Sequence, residues 1–333
     1  MPGDEELVDA VADLGRKLAA ARASIERRFV GQHAVVEQVL CAILAGGHAL
    51  LVGQPGLGKT MLVDTLGTVL GLDTARIQFT PDLMPADILG SEVLDQDAEG
   101  RRAFRFVQGP VFTQLLMADE INRASPRTQS ALLQAMQEGE VTIAGAHRPL
   151  GRPFHVLATQ NPIEQEGTYP LPEAQLDRFL MQIDVGYPDR ATEREILIAT
   201  TGLLDEAPHA VLDPASLIAA QRLIRRMPAG ESVVTAILDL VRALRPGEAD
   251  ASAWAGDALT WGPGPRAAQA LMLVTRARAA ADGRFAPTLD DVAAMAAPVL
   301  RHRMALGYAA RARGETIEAL IARAVDSRLG QAA

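Results

Sequence analysis

The chain has 333 residues, 48% of them hydrophobic and 22% charged, which is enough to bury the cores of about two domains at the usual ~150 residues each. A formal net charge of -9 argues against nucleic acid as an obligatory partner, because such binders carry a basic footprint. One cysteine, Cys41, excludes an intramolecular disulfide or a cysteine zinc cluster, and six histidines without an i, i+4 pair give no helical metal site.

The chain opens on Asp4, Glu5 and Glu6 rather than on a basic and then apolar stretch, so no secretory leader is expected and the cytoplasm is the predicted compartment. The longest apolar run, Leu40 to Val52, is interrupted by Gly46, Gly47 and His48 and falls short of the ~20 residues a membrane helix needs. Residues 5 to 28 space Leu7, Val11, Leu14, Leu18 and Ile25 as on one face of an amphipathic helix. Short apolar runs then alternate with helical patterns: His48 to Val52, Ala75 to Phe79, Leu115 to Ala118, His155 to Thr159 and Met181 to Val185 read as strands. That alternation predicts an α/β domain with a parallel sheet between helices. Gly186, Tyr187 and Pro188 break it; beyond them Val233, Val234, Ile237, Leu238, Val241 and Leu244 fall at helical spacing, and Thr288 with Asp291 forms a capping box. A small all-helical second domain over 187–333 is expected after an αβα domain over 1–186.

Between the first strand and the helix expected from Lys59, the segment Gly53-Gln54-Pro55-Gly56-Leu57-Gly58-Lys59-Thr60 matches the phosphate-binding loop G-x-x-x-x-G-K-[ST]. The glycines let backbone N–H groups turn toward the phosphates, and the helix N-terminus, which runs on into Met61, adds its dipole. Lys59 supplies charge to the β- and γ-phosphates, and Thr60 is a ligand for Mg²⁺. Only Lys17 and Lys59 occur beside thirty arginines, and Lys59 stands where a compact point charge meets phosphate. The strand Leu115 to Ala118 runs out into Asp119 and Glu120. Asp119 suits the Mg²⁺ shell from its second sphere, and Glu120 is placed to polarise the attacking water; general-base work of this kind contributes about 10² to 10⁴ in rate. Asn161, at the end of the neighbouring strand, is a second group able to orient that water. ATP hydrolysis, rather than nucleotide binding alone, is the expected chemistry.

These segments, with Ile77 to Pro81, Ala118 to Arg123, Gln129 to Glu138 and above all the run Ala158 to Phe179, resemble the MoxR family of AAA+ ATPases. The resemblance spans nearly the whole chain. It implies an AAA+ αβα domain with ATP and Mg²⁺ beneath a helical lid, usually in a homo-oligomeric ring of six subunits. An insert at about 81–113 and a pre-sensor hairpin at about 140–153 are implied too, and Ser91 to Val107 and Glu140 to Pro153 each read as a strand pair. By resemblance, Gly31 and Gln32 belong to the loop that packs on adenine, and Arg178 in Leu176-Asp177-Arg178-Phe179 is the arginine finger for the next subunit. Arg266 is the sensor-two arginine directed at the γ-phosphate of its own subunit, and Arg123 is a weaker interface candidate. The resemblance also implies chaperone-like remodelling, maturation or metal and cofactor insertion of a client, with a von Willebrand A domain protein as partner. The sequence after about Gly314 holds no further domain, so an adaptor is expected on another chain. A nucleic-acid motor, a metal-chelatase motor subunit and a non-hydrolysing nucleotide switch are the alternatives; the low aromatic content and net charge speak against the first, and Glu120 against the last.

Overall fold

A computed structural model describes residues 4–96, 102–164, 167–201 and 207–330. Helices α1 (Asp4–Glu26) and α2 (His33–Leu44) lead into strand β1 (Ala49–Val52), α3 (Lys59–Leu70) and β2 (Thr74–Gln78). A short α4 (Pro85–Leu89) precedes an antiparallel pair, β3 (Gly90–Gln96) and β4 (Arg102–Gln108), as expected within Ser91 to Val107; residues 97–101 between them lie outside the described residues. Next come β5 (Leu115–Asp119), α5 (Pro126–Glu138), a tight hairpin of β6 (Glu140–Ile143) and β7 (Ala146–Pro149), then β8 (His155–Gln160), α6 (Glu173–Leu176) and β9 (Met181–Asp184). The 140–149 hairpin closes on Ala144 and Gly145, both at positive φ, as a two-residue turn between antiparallel strands requires.

The five long-range strands form one parallel sheet in the order β2-β5-β8-β1-β9. Alternate side chains of each strand serve two cores, as the period of two dictates. Leu50, Leu116, Ala118, Val156 and Ala158 face α5 and the hairpin side, whereas Ala49, Leu51, Leu115, Met117 and Leu157 face the helices α1 to α3. The inner strands β1 and β5 are apolar up to their C-terminal ends because both faces are covered, whereas β2 at the edge exposes Arg76 and Gln78.

The remaining helices are α7 (Arg190–Thr201), α8 (Pro214–Arg226), α9 (Glu231–Ala243), α10 (Ala255–Ala258), α11 (Pro265–Ala281), α12 (Leu289–Leu300), α13 (Tyr308–Ala312) and α14 (Ile317–Leu329). Helix α12 starts on the expected box, Asp291 accepting from the Thr288 N–H at 2.7 Å, and α11 starts with Pro265 at its first turn. The helical region carries in addition one short antiparallel pairing, Leu259–Trp261 with Ala305–Leu306, too brief to show a period in the sequence. No helix among the described residues is long and apolar enough to cross a membrane.

Buried histidines fasten the entrance of the sheet. His48 donates from Nε2 to the Met136 carbonyl at 3.2 Å and accepts at Nδ1 from the Val156 N–H at 3.0 Å. His155 donates from Nδ1 to the Gly47 carbonyl at 2.8 Å and accepts at Nε2 from Gln221 of α8 at 3.1 Å. A second proton on either ring would confront a donor. Burial, with His155 beside it, depresses His48 to about 3; burial also lowers His155 and, further, His302. Since the unfolded chain takes up these protons below about pH 6.5 and the folded chain does not, stability falls with pH by about 1.4 kcal/mol per unit per histidine, for His48 down to its folded value. The urea midpoint is expected to drop from about pH 7 to about pH 5, and His48→Gln, which keeps a donor and an acceptor, should lose less over that interval. An unchanged midpoint would contradict neutral buried rings.

Candidate active site

Strand β1 lies second from the β9 edge of the sheet, between β8 and β9, and its C-terminal end turns directly into the glycine loop. Gly56 and Gly58 adopt φ of 82° and 75°, a left-handed conformation that favours glycine, and Gly58 caps α3. The Lys59 ammonium donates to the Gly53 carbonyl at 2.7 Å and the Gln54 carbonyl at 2.6 Å. Burial pulls its pKa down, and Asp119 and Glu120 oppose that pull, so the cation faces the two carboxylates across the cleft.

Two cavities meet at the loop. The first, about 460 Å³, is lined by Pro55 to Met61 on one side and by Asp119, Glu120, Asn161, Thr159 and Arg76 on the other. The second, about 490 Å³, shares Gly56, Leu57, Gly58 and Met61 and is otherwise mostly apolar, with Phe29, Val30, Gln32, Ile196 and Leu197. A polar half and an apolar half on either side of one phosphate loop suit the triphosphate and the base of a nucleotide. Gly31 lies behind the apolar half at φ 73°, where a Cβ would stand 2.1 Å from Thr192 of α7; glycine there lets the loop and that helix touch. Tyr187 donates its hydroxyl to Gln54, fastening the rim.

The sequence reading missed the residues that hold the two acids. Thr159, fully buried, donates its hydroxyl to Asp119 Oδ1 at 2.5 Å and accepts from the Glu120 N–H at 2.8 Å. Arg76 of the neighbouring strand pairs with Asp119 Oδ2 at 2.6 Å, and Gln78, two residues on and so on the same face, donates to Glu120 Oε2 at 2.8 Å. The in-register pairing of Gln78 with Asp119 puts this edge strand beside the acids, a neighbourhood that no local sequence pattern signals. Arg123 lies 3.0 Å from Glu120 and also binds Glu164, which, ahead of Glu120, holds its pKa up. Its charge is engaged within its own subunit. Glu120 itself sits at φ 55°, a strained conformation for a residue with a Cβ. Asn161 lines the cleft and accepts from the Ile163 N–H at 3.2 Å, so it serves the turn before the site as well.

The arginines are elsewhere. Arg178 and Arg266 line a separate cavity of about 280 Å³ with Gly46, Gly47 and His48, at the N-terminal end of β1, whereas the phosphate loop leaves its C-terminal end. Arg266 pairs with Asp177 at 3.2 Å. Arg266, expected to be directed at the phosphates of its own subunit, stands at the start of α11 beside Arg178, in a cavity separate from the one that Lys59 lines.

A phosphate loop, an acidic strand end beside it and a helical region after the parallel sheet define a P-loop ATPase of the AAA+ type. Residues 48–181 match the family described as ATPase family associated with various cellular activities (AAA), and residues 251–324 match the AAA lid domain. The chain is 41% identical over 307 residues to the chaperone MoxR1 of Mycobacterium tuberculosis, covering 91% of this chain and 79% of that one. It is 32% identical over 324 residues to the protein MoxR of Paracoccus denitrificans, covering 92% and 94%. The crystal structure of a Cytophaga hutchinsonii protein taken to be an ATPase superposes with a TM-score of 0.85 at 35% identity, covering 96% of both chains. The chain belongs to the MoxR family of AAA+ ATPases.

The geometry separates binding from turnover. Lys59→Ala should lose ATP affinity, whereas Glu120→Gln should bind ATP and turn it over at least about 10²-fold more slowly. Calorimetry of both variants beside steady-state ATPase rates checks this, and unaltered affinity of Lys59→Ala would refute the role given to the loop.

Proposed function

We propose that this chain works as a ring, hexameric as in its family, in which Arg178 and Arg266 of one subunit complete the ATP site of the next. The carrying observation is that both arginines line one cavity at the opposite end of β1 from Lys59. Three steps along that strand span about 10 Å, before any loop is added, so neither guanidinium is suited to its own subunit's γ-phosphate. An αβα domain over 1–186 and a lid over 187–333 is the division we propose, with the insert at about 81–113 and the hairpin at about 140–153.

Within one subunit, the loop from Gly53 to Thr60 cradles the phosphates, Met61 lies at their edge, and Gly31 and Gln32 belong to the base side. Mg²⁺ fits the donor set: Thr60 and Asp119 offer hard oxygens in the same cleft and would hold the ion, which would supply positive charge toward the phosphates. Glu120 takes the proton of the attacking water, and Asn161 helps to aim that water. Gln78 and Arg123 restrain Glu120 in the geometry described above, so its carboxylate must exchange at least one of these partners to serve as base. A trans arginine is worth about 10³ to 10⁵ in rate in assisted GTPases.

The work done with ATP is chaperone-like remodelling, maturation or metal and cofactor insertion of a client protein in the cytoplasm, with a von Willebrand A domain protein as partner; the partner rests on the family resemblance. Two hairpins support a client-handling surface. Arg148 of β7 stacks on Phe106 of β4 at 3.8 Å and pairs with Glu92 of β3 at 3.5 Å, locking the hairpins together. Beyond that lock the cross-strand pair Leu94 and Phe104 is 55% and 72% exposed.

Arg178→Ala subunits are expected to bind ATP yet not hydrolyse it, since the lost charge serves the neighbour's transition state. Mixed with Lys59→Ala subunits they should regain partial activity, because only a mixed ring joins an intact loop to an intact finger. Exchange-competent mixtures that stay inactive, or wild-type turnover by Arg178→Ala alone, would overturn the assignment.

A further inference from the structure

Arg303 has 1% of its surface exposed, and every bond of its guanidinium that the structure records goes to the finger segment or to its own helix. Nε donates to Asp177 Oδ1 at 2.7 Å, Nη2 to the Phe179 carbonyl at 2.7 Å and the Asp177 carbonyl at 3.4 Å, and Nη1 to the Leu180 carbonyl at 3.1 Å and the Val299 carbonyl at 2.5 Å. His302 beside it donates from Nε2 to the Phe179 carbonyl at 3.1 Å, and Arg301 pairs with Asp184 at the end of β9. The residues on both sides of Arg178 are thus held from above by one turn, 301–303, that closes α12. The other oxygen of Asp177 accepts from Arg266, so a single carboxylate links Arg303 to the second arginine of the pair.

Burying a guanidinium is unfavourable unless its charge and donors are all met, and an apolar residue of similar volume packs as well or better. What the arginine adds is geometry: a planar fork that ties the carbonyls of 177, 179 and 180 to one turn. Between the end of α6 at Leu176 and the start of β9 at Met181, the N–H groups of 177–179 turn back to 173–176 and that of Leu180 reaches the His48 carbonyl, while the carbonyls of 177, 179 and 180 are taken by Arg303.

We propose that Arg303 is a positioning residue for the finger: through Asp177 and the carbonyls of 177, 179 and 180 it sets where Arg178 and Arg266 stand, so the lid of each subunit governs hydrolysis in its neighbour. This rests on the across-boundary reading above. Residue 303 belongs to the part of the chain that matches the AAA lid domain. Helix α7, which follows the last strand, lines the base cavity through Ile196 and Leu197. Displacement of the 301–303 turn therefore carries the finger with it, and a subunit's influence is felt in the next site around the ring rather than in its own.

Arg303→Lys keeps the positive charge but loses the fork. A misplacement of about 1 Å can cost about 10² in rate. The variant should accordingly bind a fluorescent ADP analogue like the wild type and fall about 10²-fold in kcat with little change in KM. Two mixtures tell positioning from damage. With Lys59→Ala subunits, the variant's intact loop meets an unaltered finger and activity should return. With Arg178→Ala subunits, the one competent loop of each mixed interface meets the misplaced finger and activity should stay low. Asp177→Asn should repeat this pattern more severely, since it frees both Arg303 and Arg266. Recovery with Arg178→Ala, no recovery with Lys59→Ala while the Arg178→Ala and Lys59→Ala pair recovers, a weakened ADP analogue, or wild-type turnover would each overturn the proposal. Failure of the Arg178→Ala and Lys59→Ala pair itself would instead overturn the across-boundary reading, and this inference with it.

Discussion

In a parallel sheet every strand delivers its C-terminal end to one edge and its N-terminal end to the other, and the chemistry of this ATPase is divided along that line. The phosphate loop follows β1, the acids end β5, and Asn161 follows β8, all on the C-terminal edge. Arg178 precedes β9 and so falls on the opposite edge. Because strand polarity is fixed by right-handed crossover connections through covering helices, the separation is built into the fold class and needs no special local device. Lys59, Asp119 and Glu120 thus line one cavity, and Arg178 and Arg266 another at the opposite end of β1.

The charges at the C-terminal edge are managed by short, specific contacts. Asp119 and Glu120 are adjacent in sequence, and Glu120 is turned by its positive φ; the Thr159 hydroxyl joins them by donating to one and accepting from the other. Arg76 and Gln78, from a strand whose residues at this end are half exposed, supply one donor to each acid. Thr159→Val would keep the volume but leave Asp119 short of one donor in a buried position, the asymmetry that makes such hydroxyls costly to lose. Lys59 stands opposite with its ammonium on backbone carbonyls, so the cleft is nearly neutral before any phosphate is considered.

The five strands were legible within a residue or so because buried parallel strands are runs of apolar residues, and the loop was legible because phosphate demands glycine and lysine at fixed spacing. Both hairpins were legible for a similar reason, alternation on either side of a turn. Arg76, Gln78 and Thr159 were not: each matters through which strand lies beside which, and the order β2-β5-β8 is not written in any local pattern. The placement of Arg266 was not legible for a different reason. Its helix was correctly begun at the proline before it, but where a helix points depends on how α11 packs against α1, α2 and α12, a sum of distributed contacts with no motif. Arg303 looks in sequence like one of thirty arginines; only its burial separates it from the rest.

The left-handed backbone at Glu120 sets folding and activity against each other at one position. A residue with a Cβ held there costs the native state about 1 to 2 kcal/mol, and a glycine would release that cost while deleting the carboxylate proposed as the base. Drift at position 120 is thus drawn by stability toward loss of catalysis, and only the need for turnover holds the glutamate in place. Lineages of this family that came to use nucleotide as a fixed scaffold rather than as fuel would be expected to surrender this residue early, and to gain thermal stability when they did.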